Sequence, residues 1–427
     1  MGKWTYSDGT EVTIRDVALS VKRMLLHRPN FPVLRYIVGK QDWIMLKEPL
    51  KNEIPGIEIS GETLTIKLSQ KVYQPLFRLS LNIFSVIPEK CVNLSNNKLA
   101  CTHPPSSGYY VQESAFEKKI LFKLRKNLPN NIAQKLPQQI LFDYENRPIE
   151  EYFSGEKTDT VVWGYDLNFT PQEHHMLSTK YRVERLPSAW FTGFVLNPRV
   201  DPFSDADCRY WFAQEFRNIF SHQELDPIVA SSSIFTKLIP GYKSNSSLTS
   251  LRKPGNSGAQ ERCISALKKS GLVYAIRTQT TPPLVEKTLK TMSEKHGFNI
   301  SEPVIAPSSH SGWPTYGRTD VAFQLSNSGF WPLDPVGDIQ MLFSGIHEDY
   351  MDIQSDKVIQ SLVRDISQSY SFEEINNNMS RLNQSLFNSA YFNIFCNQSY
   401  FYVSRSDCST RKCLELSVTL PYPWQVF

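Results

Sequence analysis

The residues predict a mixed α/β fold with several sheets, and three patterns carry that reading. Ile57 and Ile59, then Leu64, Ile66 and Leu68, alternate with polar residues on either side of Ser60-Gly61-Glu62, the period-2 signature of a hairpin. The stretches 273–276, 282–296 and 298–305 read strand, helix, strand, an order that favours a parallel pair with a right-handed crossover. The apolar run 189–197 reads as a central strand.

Taken along the chain, Ser7-Asp8-Gly9-Thr10 is a turn. Thr13 with Asp16 three residues on has the spacing of a helix cap. Ile14, Val17, Val21, Met24 and Leu25 then follow at helical spacing, and Pro29 closes the segment. The apolar stretch 76–87 reads as a buried passage from helix to strand. Strands are expected at 109–111, 119–124 and 160–163, with a short helix at 150–155. Asp205 suits the cap of a helix that buries Trp211, Phe212, Phe216 and Ile219. A Ser-, Asn-, Gly- and Pro-rich loop covers 238–258, followed by a helix at 259–270 stopped by Gly271. Helices near 355–367 and 372–387 precede a C-terminal stretch of short strands.

Composition excludes several classes of function. The 427 residues carry 46 basic and 42 acidic side chains, a net charge of +4 without long runs, so there is no electrostatic footprint for nucleic acid. No apolar run approaches the ~20 residues of a membrane span. The start, Met-Gly-Lys-Trp-Thr-Tyr-Ser-Asp-Gly, lacks the apolar centre of a signal peptide. The phosphate-binding patterns G-x-x-x-x-G-K-S/T and G-x-G-x-x-G are absent, as are H-E-x-x-H and G-x-S-x-G, so neither a cofactor nor an enzymatic reaction is expected. His174-His175 reads as surface loop, because adjacent side chains point apart and do not share one metal. Seven cysteines contain no C-x-x-C pair. Cys408 with Cys413, and Cys91 with Cys101, each bracket a short polar loop that suits a bridge; buried or free thiols fit the same spacing equally well.

Six segments, in order, resemble the extracellular solute-binding proteins of family 5, which serve oligopeptide and dipeptide ABC importers. They are Tyr6-Ser-Asp-Gly-Thr-Glu-Val-Thr-Ile-Arg-Asp-Val17 and Phe84-Ser-Val-Ile-Pro88; Ser107-Gly-Tyr-Tyr-Val111 and Tyr152-Phe-Ser-Gly-Glu-Lys-Thr-Asp159; then Asn197-Pro-Arg-Val-Asp-Pro-Phe-Ser-Asp205 and Gly329-Phe-Trp-Pro-Leu-Asp-Pro335 with Met341-Leu-Phe343. The resemblance implies a two-lobed, periplasmic-binding-protein-like (type II) α/β fold with an extra α+β domain. Residues 1–100 would form mainly the extra domain, 101–204 lobe I and 205–395 lobe II, with 396–427 returning to lobe I. It also implies that an N-terminal segment with the export signal and first strands of lobe I is missing, which would leave lobe I the weaker, self-associating region.

By the same resemblance the chain captures a peptide or peptide-like solute for a permease, in the periplasm or at the cell surface. In the family the peptide α-ammonium meets a carboxylate three residues before the acid of the D-P motif; here that position is Trp331, whose ring can face a cation. Arg277 lies near the place of the family's carboxylate-binding arginine. The expected lining residues are Asn327, Gly329, Phe330, Trp331, Arg277, Trp190, Phe191 and Trp313. Two other readings stand beside capture: the ligand-sensing half of a cytosolic regulator with this fold, and an interaction protein that binds no solute.

Overall fold

The computed structural model describes residues 4–80, 84–116, 118–126, 128, 130–134, 136–143, 151, 161–165, 167, 169–223, 225, 228–244, 258–276, 281–305, 321–330, 334–344 and 356–404. The chain divides into two compact units, Met1–Gly155 with Leu420–Phe427, and Glu156–Thr419.

The first unit is built around helix α1 (Ile14–His27). Thr13 and Asp16 form the expected capping box, and Ala18, Leu19, Val21 and Leu25 are buried. The helix is followed by α2 (Lys40–Ile44), the hairpin β1 (Ile57–Ser60) and β2 (Thr63–Ile66), α3 (Pro75–Leu79), a three-stranded antiparallel sheet of β3 (Tyr110–Phe116), β4 (Lys119–Leu124) and β5 (Gln139–Asp143), and α4 (Asn130–Ala133) between β4 and β5. The Ser-Asp-Gly-Thr turn is a joint. Asp8 Oδ1 accepts from Thr10 N at 3.0 Å and Asp8 Oδ2 meets Lys90 Nζ at 2.8 Å. Ser7 N donates to Ser106 O at 2.9 Å, and Ser106 N donates to Ser7 Oγ at 3.0 Å. Arg125, 6% exposed at the end of β4, donates to Gly108 O at 3.0 Å, Tyr6 O at 2.9 Å and Thr5 Oγ1 at 3.2 Å. One guanidinium thus holds two loops distant in sequence against one strand, which its planar fork of donors suits.

The second unit carries a seven-stranded sheet in the order β10-β9-β11-β7-β12-β6, with β8 also on β12. Its strands are β6 (Val161–Tyr165), β7 (Arg182–Leu196), β8 (Val229–Ala230), β9 (Tyr274–Ile276), β10 (Val304–Ile305), β11 (Phe323–Gly329) and β12 (Phe392–Ser404). As expected, β9 and β10 are parallel, joined by a helix. The helices are α5 (Pro171–Lys180), α6 (Ala206–Ser221), α7 (Ala259–Ser270), α8 (Pro283–His296), α9 (Pro335–Ser344), α10 (Lys357–Gln368) and α11 (Phe372–Ser389). Segments expected in three domains therefore share one sheet, β6 and β7 with β8 to β11 and β12, and the unit boundary falls at Gly155/Glu156.

Helix α6 forms where Asp205 caps it, accepting from Asp207 N at 2.8 Å, and its Phe212, Phe216 and Phe220 lie four apart on one face. They pack on the sheet around Phe194, whose ring lies 4.5 Å from Phe216, 4.6 Å from Phe323 and 5.0 Å from Phe395. Such aromatic pairs each add about 0.5–1.5 kcal/mol beyond their area burial. Buried Arg209 donates to Phe203 O at 2.6 Å and to Ser389 O at 3.3 Å, and its guanidinium lies 4.3 Å from the Tyr391 ring centroid. It joins the start of α6 to the end of α11. The disulfide Cys208–Cys263 bridges α6 and α7, while Cys91–Cys101 closes a loop in the first unit.

Four local expectations are corrected. His174 and His175 sit on α5, not in a loop; Thr170 and Glu173 cap that helix and Pro171 opens it. Among the described residues the C-terminal strands are one 13-residue strand, β12. The apolar stretch from Leu76 is not buried throughout, since Leu76 is 81% exposed. The strand expected over 298–305 shrinks to β10 and an isolated bridge of Ile300 to Leu272. Cys408 and Cys413 lie outside the described residues, as does the 150–155 helix except for Glu151.

Candidate functional site

In open α/β sheets, ligands bind beyond the carboxyl ends of parallel strands, where side chains and helix N-termini converge. Here β9, β10 and β11 run parallel and end at Ile276, Ile305 and Gly329. Strand β7 is antiparallel to β11, and β12 to β7, so Gly329, Trp190 and Gln398 form one row across three strands at that end. Two rows before it, Asn327, Thr192 and Cys396 align. Backbone topology thus places Asn327, Gly329 and Trp190 together. Arg277 follows Ile276 directly in sequence; it, Trp313 and Trp331 lie outside the described residues.

Phe191 and Phe330 occupy this region differently from the lining role expected of them. They are 0% and 2% exposed, with ring centroids 5.7 Å apart. Phe392 meets Phe191 at 5.5 Å, and Phe235 meets Phe330 at 5.0 Å. In the described structure these four rings form one packed cluster, an aromatic floor in which Phe392 stands in register with Val195, away from the Gly329 end. Phe235 and Phe392 were not singled out from sequence, because their role depends on a long-range contact that no local pattern records.

The floor is fixed by a buried polar network. Asn383 on α11 donates to Ser233 Oγ at 2.8 Å and Gly241 O at 3.1 Å, and accepts from Ile234 N at 3.3 Å. Asn376 accepts from Gly241 N at 2.8 Å. The segment carrying Phe235 is therefore hydrogen-bonded to α11 at both ends. Buried polar groups satisfied in this way lock one arrangement of a core.

Asp334 is 7% exposed and its Oδ1 accepts from Gly337 N at 3.0 Å, a cap at the start of α9. At the start of β9, the Tyr274 hydroxyl and Thr281 Oγ1 lie 2.9 Å apart, and burial pushes the tyrosine up. Burial likewise pushes the Cys396 thiol up, against opposing hydrogen bonds with Thr192, so this cysteine is held in its unreactive form. Among the described residues no group of three or more His, Cys, Asp or Glu side chains could hold a metal ion. No helix among them is long and apolar enough to cross a membrane.

A second feature of the sheet is an irregular ladder. Strand β11 flanks β7 over 190–196, and β6 flanks β12 over 400–404. Between them β7 and β12 continue as a pair, and the ladder is irregular: Trp190 pairs with Gln398 and Leu186 with Tyr400. Three residues, 187–189, face Ser399 alone, and Pro187 has no N–H to give the ladder.

No family model matches the chain, and no curated protein matches it significantly. Solved structures do. The Escherichia coli murein tripeptide binding protein MppA superposes with a TM-score of 0.69 at 15% identity, over 95% of this chain and 82% of that one. NikA from Brucella suis, in complex with Fe(III)-EDTA, gives 0.68 at 13%, over 96% and 83%. Haemophilus influenzae OppA, in complex with the peptide RPPGFSPFR, gives 0.67 at 13%, over 94% and 81%. The resemblance read from six short motifs holds at the level of architecture: this chain has the α/β fold of the two-lobed periplasmic binding proteins.

Proposed function

We propose that the chain is the solute-binding protein of an ABC importer, capturing a peptide or peptide-like solute between two lobes and releasing it unchanged. The observation that carries this reading is the superposition of 94–96% of the chain on binding proteins. Two of them are named for, or hold, peptides. The ligand would lie beyond the ends of β9 and β11, against Trp190, Asn327, Gly329, Trp331, Arg277 and Trp313, above the aromatic floor. Closure would bend the β7–β12 ribbon at 187–189 and Ser399, where two strands alone connect the flanked portions of the sheet. Two disulfides support a place in the periplasm or at the cell surface rather than in the reducing cytosol, and with it capture over cytosolic sensing.

Native mass spectrometry of gently purified protein, followed by thermal-shift screening against a peptide library, tests the proposal. Expected are a co-purified small solute, a raised Tm with a subset of peptides, and recovery of those peptides at unchanged mass. Neither a co-purified solute nor a shift with any peptide would refute capture. Peptides recovered cleaved would refute the non-enzymatic reading.

A further inference from the structure

We propose that Asn97 is a proton-operated latch, which ties the loop 92–99 to the end of α1 while His27 is neutral and lets go when His27 takes up a proton. The loop is closed at its base by the Cys91–Cys101 bond and by an antiparallel bridge of Val92 to Leu99. Asn97 stands at φ +59, in the left-handed region that asparagine tolerates, and its N–H donates to Asn93 O at 2.9 Å. Its side chain spans two residues of α1 that lie one helical turn apart. Arg23 Nε donates to Asn97 Oδ1 at 3.0 Å, and Asn97 Nδ2 lies 3.1 Å from His27 Nε2.

The donors and acceptors of these three groups fix where the proton sits. Arginine keeps its protons and has no acceptor, so the amide turns its oxygen to Arg23 and its NH2 to His27. Nδ2 can only donate. His27 Nε2 is then the bare, accepting nitrogen of a neutral ring whose hydrogen is on Nδ1. Protonation makes Nε2 a donor as well and sets two donors 3.1 Å apart. Turning the amide over does not restore the tie, because Nδ2 would then face the Arg23 Nε–H.

The charges around the ring act in the same sense. Partial burial, and after it the positive charges of Arg23 and Arg28, hold His27 below its ordinary 6.5, against the helix C-terminus, which favours a cation. A folded value below the unfolded one stabilises above the unfolded value, and that stability is lost as pH falls through the folded one. The loop itself presents uncharged Asn97, with Lys98 exposed beside it. The other elements packed on α1 are β1, β2 and the short turns 34–36, 49–51 and 89–91. Around them Glu53 pairs with Lys22, Glu48 with Lys51, Glu58 with Lys67 and Lys90 with Asp8, while Arg35 lies over Tyr36. Glu89 stands at the opposite end of α1, where its amide meets Asp16. Glu48 also bonds Ser95 of the loop; its hydrogen bonds with Lys51 and then Ser95 lower it from 4.5, so it stays charged while His27 titrates.

The test is NMR of the full chain with 15N-labelled histidine rings, His27 being assigned from the spectrum of His27→Gln, beside hydrogen exchange read as protection relative to the unstructured rate at each pH. At about pH 7.5 His27 should carry its hydrogen on Nδ1, the tautomer less favoured in water, and its midpoint should lie below 6.5. Protection over 92–99 should fall by roughly threefold or more between about pH 7.5 and pH 5. Asn97→Asp supplies a carboxylate that accepts from both Arg23 and protonated His27, so it should raise the His27 midpoint by about one pH unit and keep the loop protected at low pH. Asn97→Gly keeps the left-handed backbone without the side chain, and should return His27 to the tautomer favoured in water and leave the loop loose at every pH. An Nε2–H ring at about pH 7.5, a midpoint at or above 6.5, a midpoint unmoved in Asn97→Asp, or flat protection of the parent loop would each overturn the latch. The latch does not rest on solute capture, which is assayed separately, so failure of one is told from failure of the other.

Discussion

Asp16 is the residue whose replacement most directly tests how the first unit is held. Its carboxylate does two tasks. Oδ2 accepts from Thr13 N and Thr13 Oγ1, both at 2.8 Å, closing the cap of α1. Oδ1 accepts from Glu89 N at 2.8 Å, bringing in the chain 73 residues away. Losing a cap of this kind costs about 1 kcal/mol. Stranding a part-buried N–H that had donated to a carboxylate costs about 1–3 kcal/mol more. Asp16→Ala should therefore destabilise the unit by about 2–4 kcal/mol, and with an m-value of about 2 kcal/mol/M move the urea midpoint down by about 1–2 M. Asp16→Asn keeps one acceptor oxygen and turns the other into a donor, so it should lose roughly half as much. Hydrogen exchange followed by mass spectrometry locates the effect: peptides covering 13–20 and 84–92 should lose protection together. An unfolding free energy for Asp16→Ala within about 0.5 kcal/mol of the parent would refute the reasoning. So would lost solute binding at undiminished stability, since that would place Asp16 at the ligand.

Two further perturbations probe other joints. Hydrogen bonds from Lys90 and Thr10 lower the Asp8 carboxyl from 3.8 to about 2. A folded-state value below the unfolded one stabilises above the unfolded value and is lost as pH falls through the folded one, so Asp8→Asn should flatten the loss of stability between about pH 4 and pH 2, read from denaturation curves across that range. Gly241 sits at φ +80, and an added Cβ would come within 2.5 Å of Met379 Cβ. Gly241→Ala should cost about 2–5 kcal/mol and loosen the Phe235 floor; an unchanged Tm would show that the network around Asn383 does not fix this turn.

How much of this was legible in the sequence depends on the range of each interaction. Caps are local, so Thr13 with Asp16 and Asp205 before α6 both stand where their spacing put them. The parallel pair β9 and β10 followed from element order. The cap at Thr170 and Glu173 was equally local, but α5 has no apolar stripe to draw attention to it. Strand β12 was read as fragments because Asn397-Gln398-Ser399 interrupts its apolar residues at the very place where its ladder is irregular. The Cys208–Cys263 bond spans 55 residues, and no spacing rule reaches so far. For the site, topology brings Asn327, Gly329 and Trp190 to one sheet end, yet an aromatic residue's place in a floor rather than on a lining is decided by packing partners such as Phe235 and Phe392.

The motifs that gave the fold away are joints: Asp8, Asp16 and Asp205 within them bind the chain to itself, and Arg125 and Arg209 outside them bind motif carbonyls at Tyr6 and Phe203. Asp334 belongs with them, because its carboxylate receives Gly337 N and an added Cβ on Gly337 would lie 2.2 Å from Oδ2. On the proposed function, ligand chemistry would reside in the residues the joints leave over, and Trp331 is the one where the anchor implied by the resemblance is replaced. A ring facing a cation is worth about 0.5–2 kcal/mol, less than a charge-assisted hydrogen bond reinforced by an opposite charge. The parent should accordingly discriminate little between a peptide with a free α-ammonium and its N-acetylated form. Trp331→Asp should raise that discrimination by roughly tenfold, about 1.4 kcal/mol, in paired titrations of a peptide found to bind. An unchanged ratio, with both forms still bound, would place the ligand's amino end away from residue 331 and remove the basis for aligning this site with that of peptide carriers.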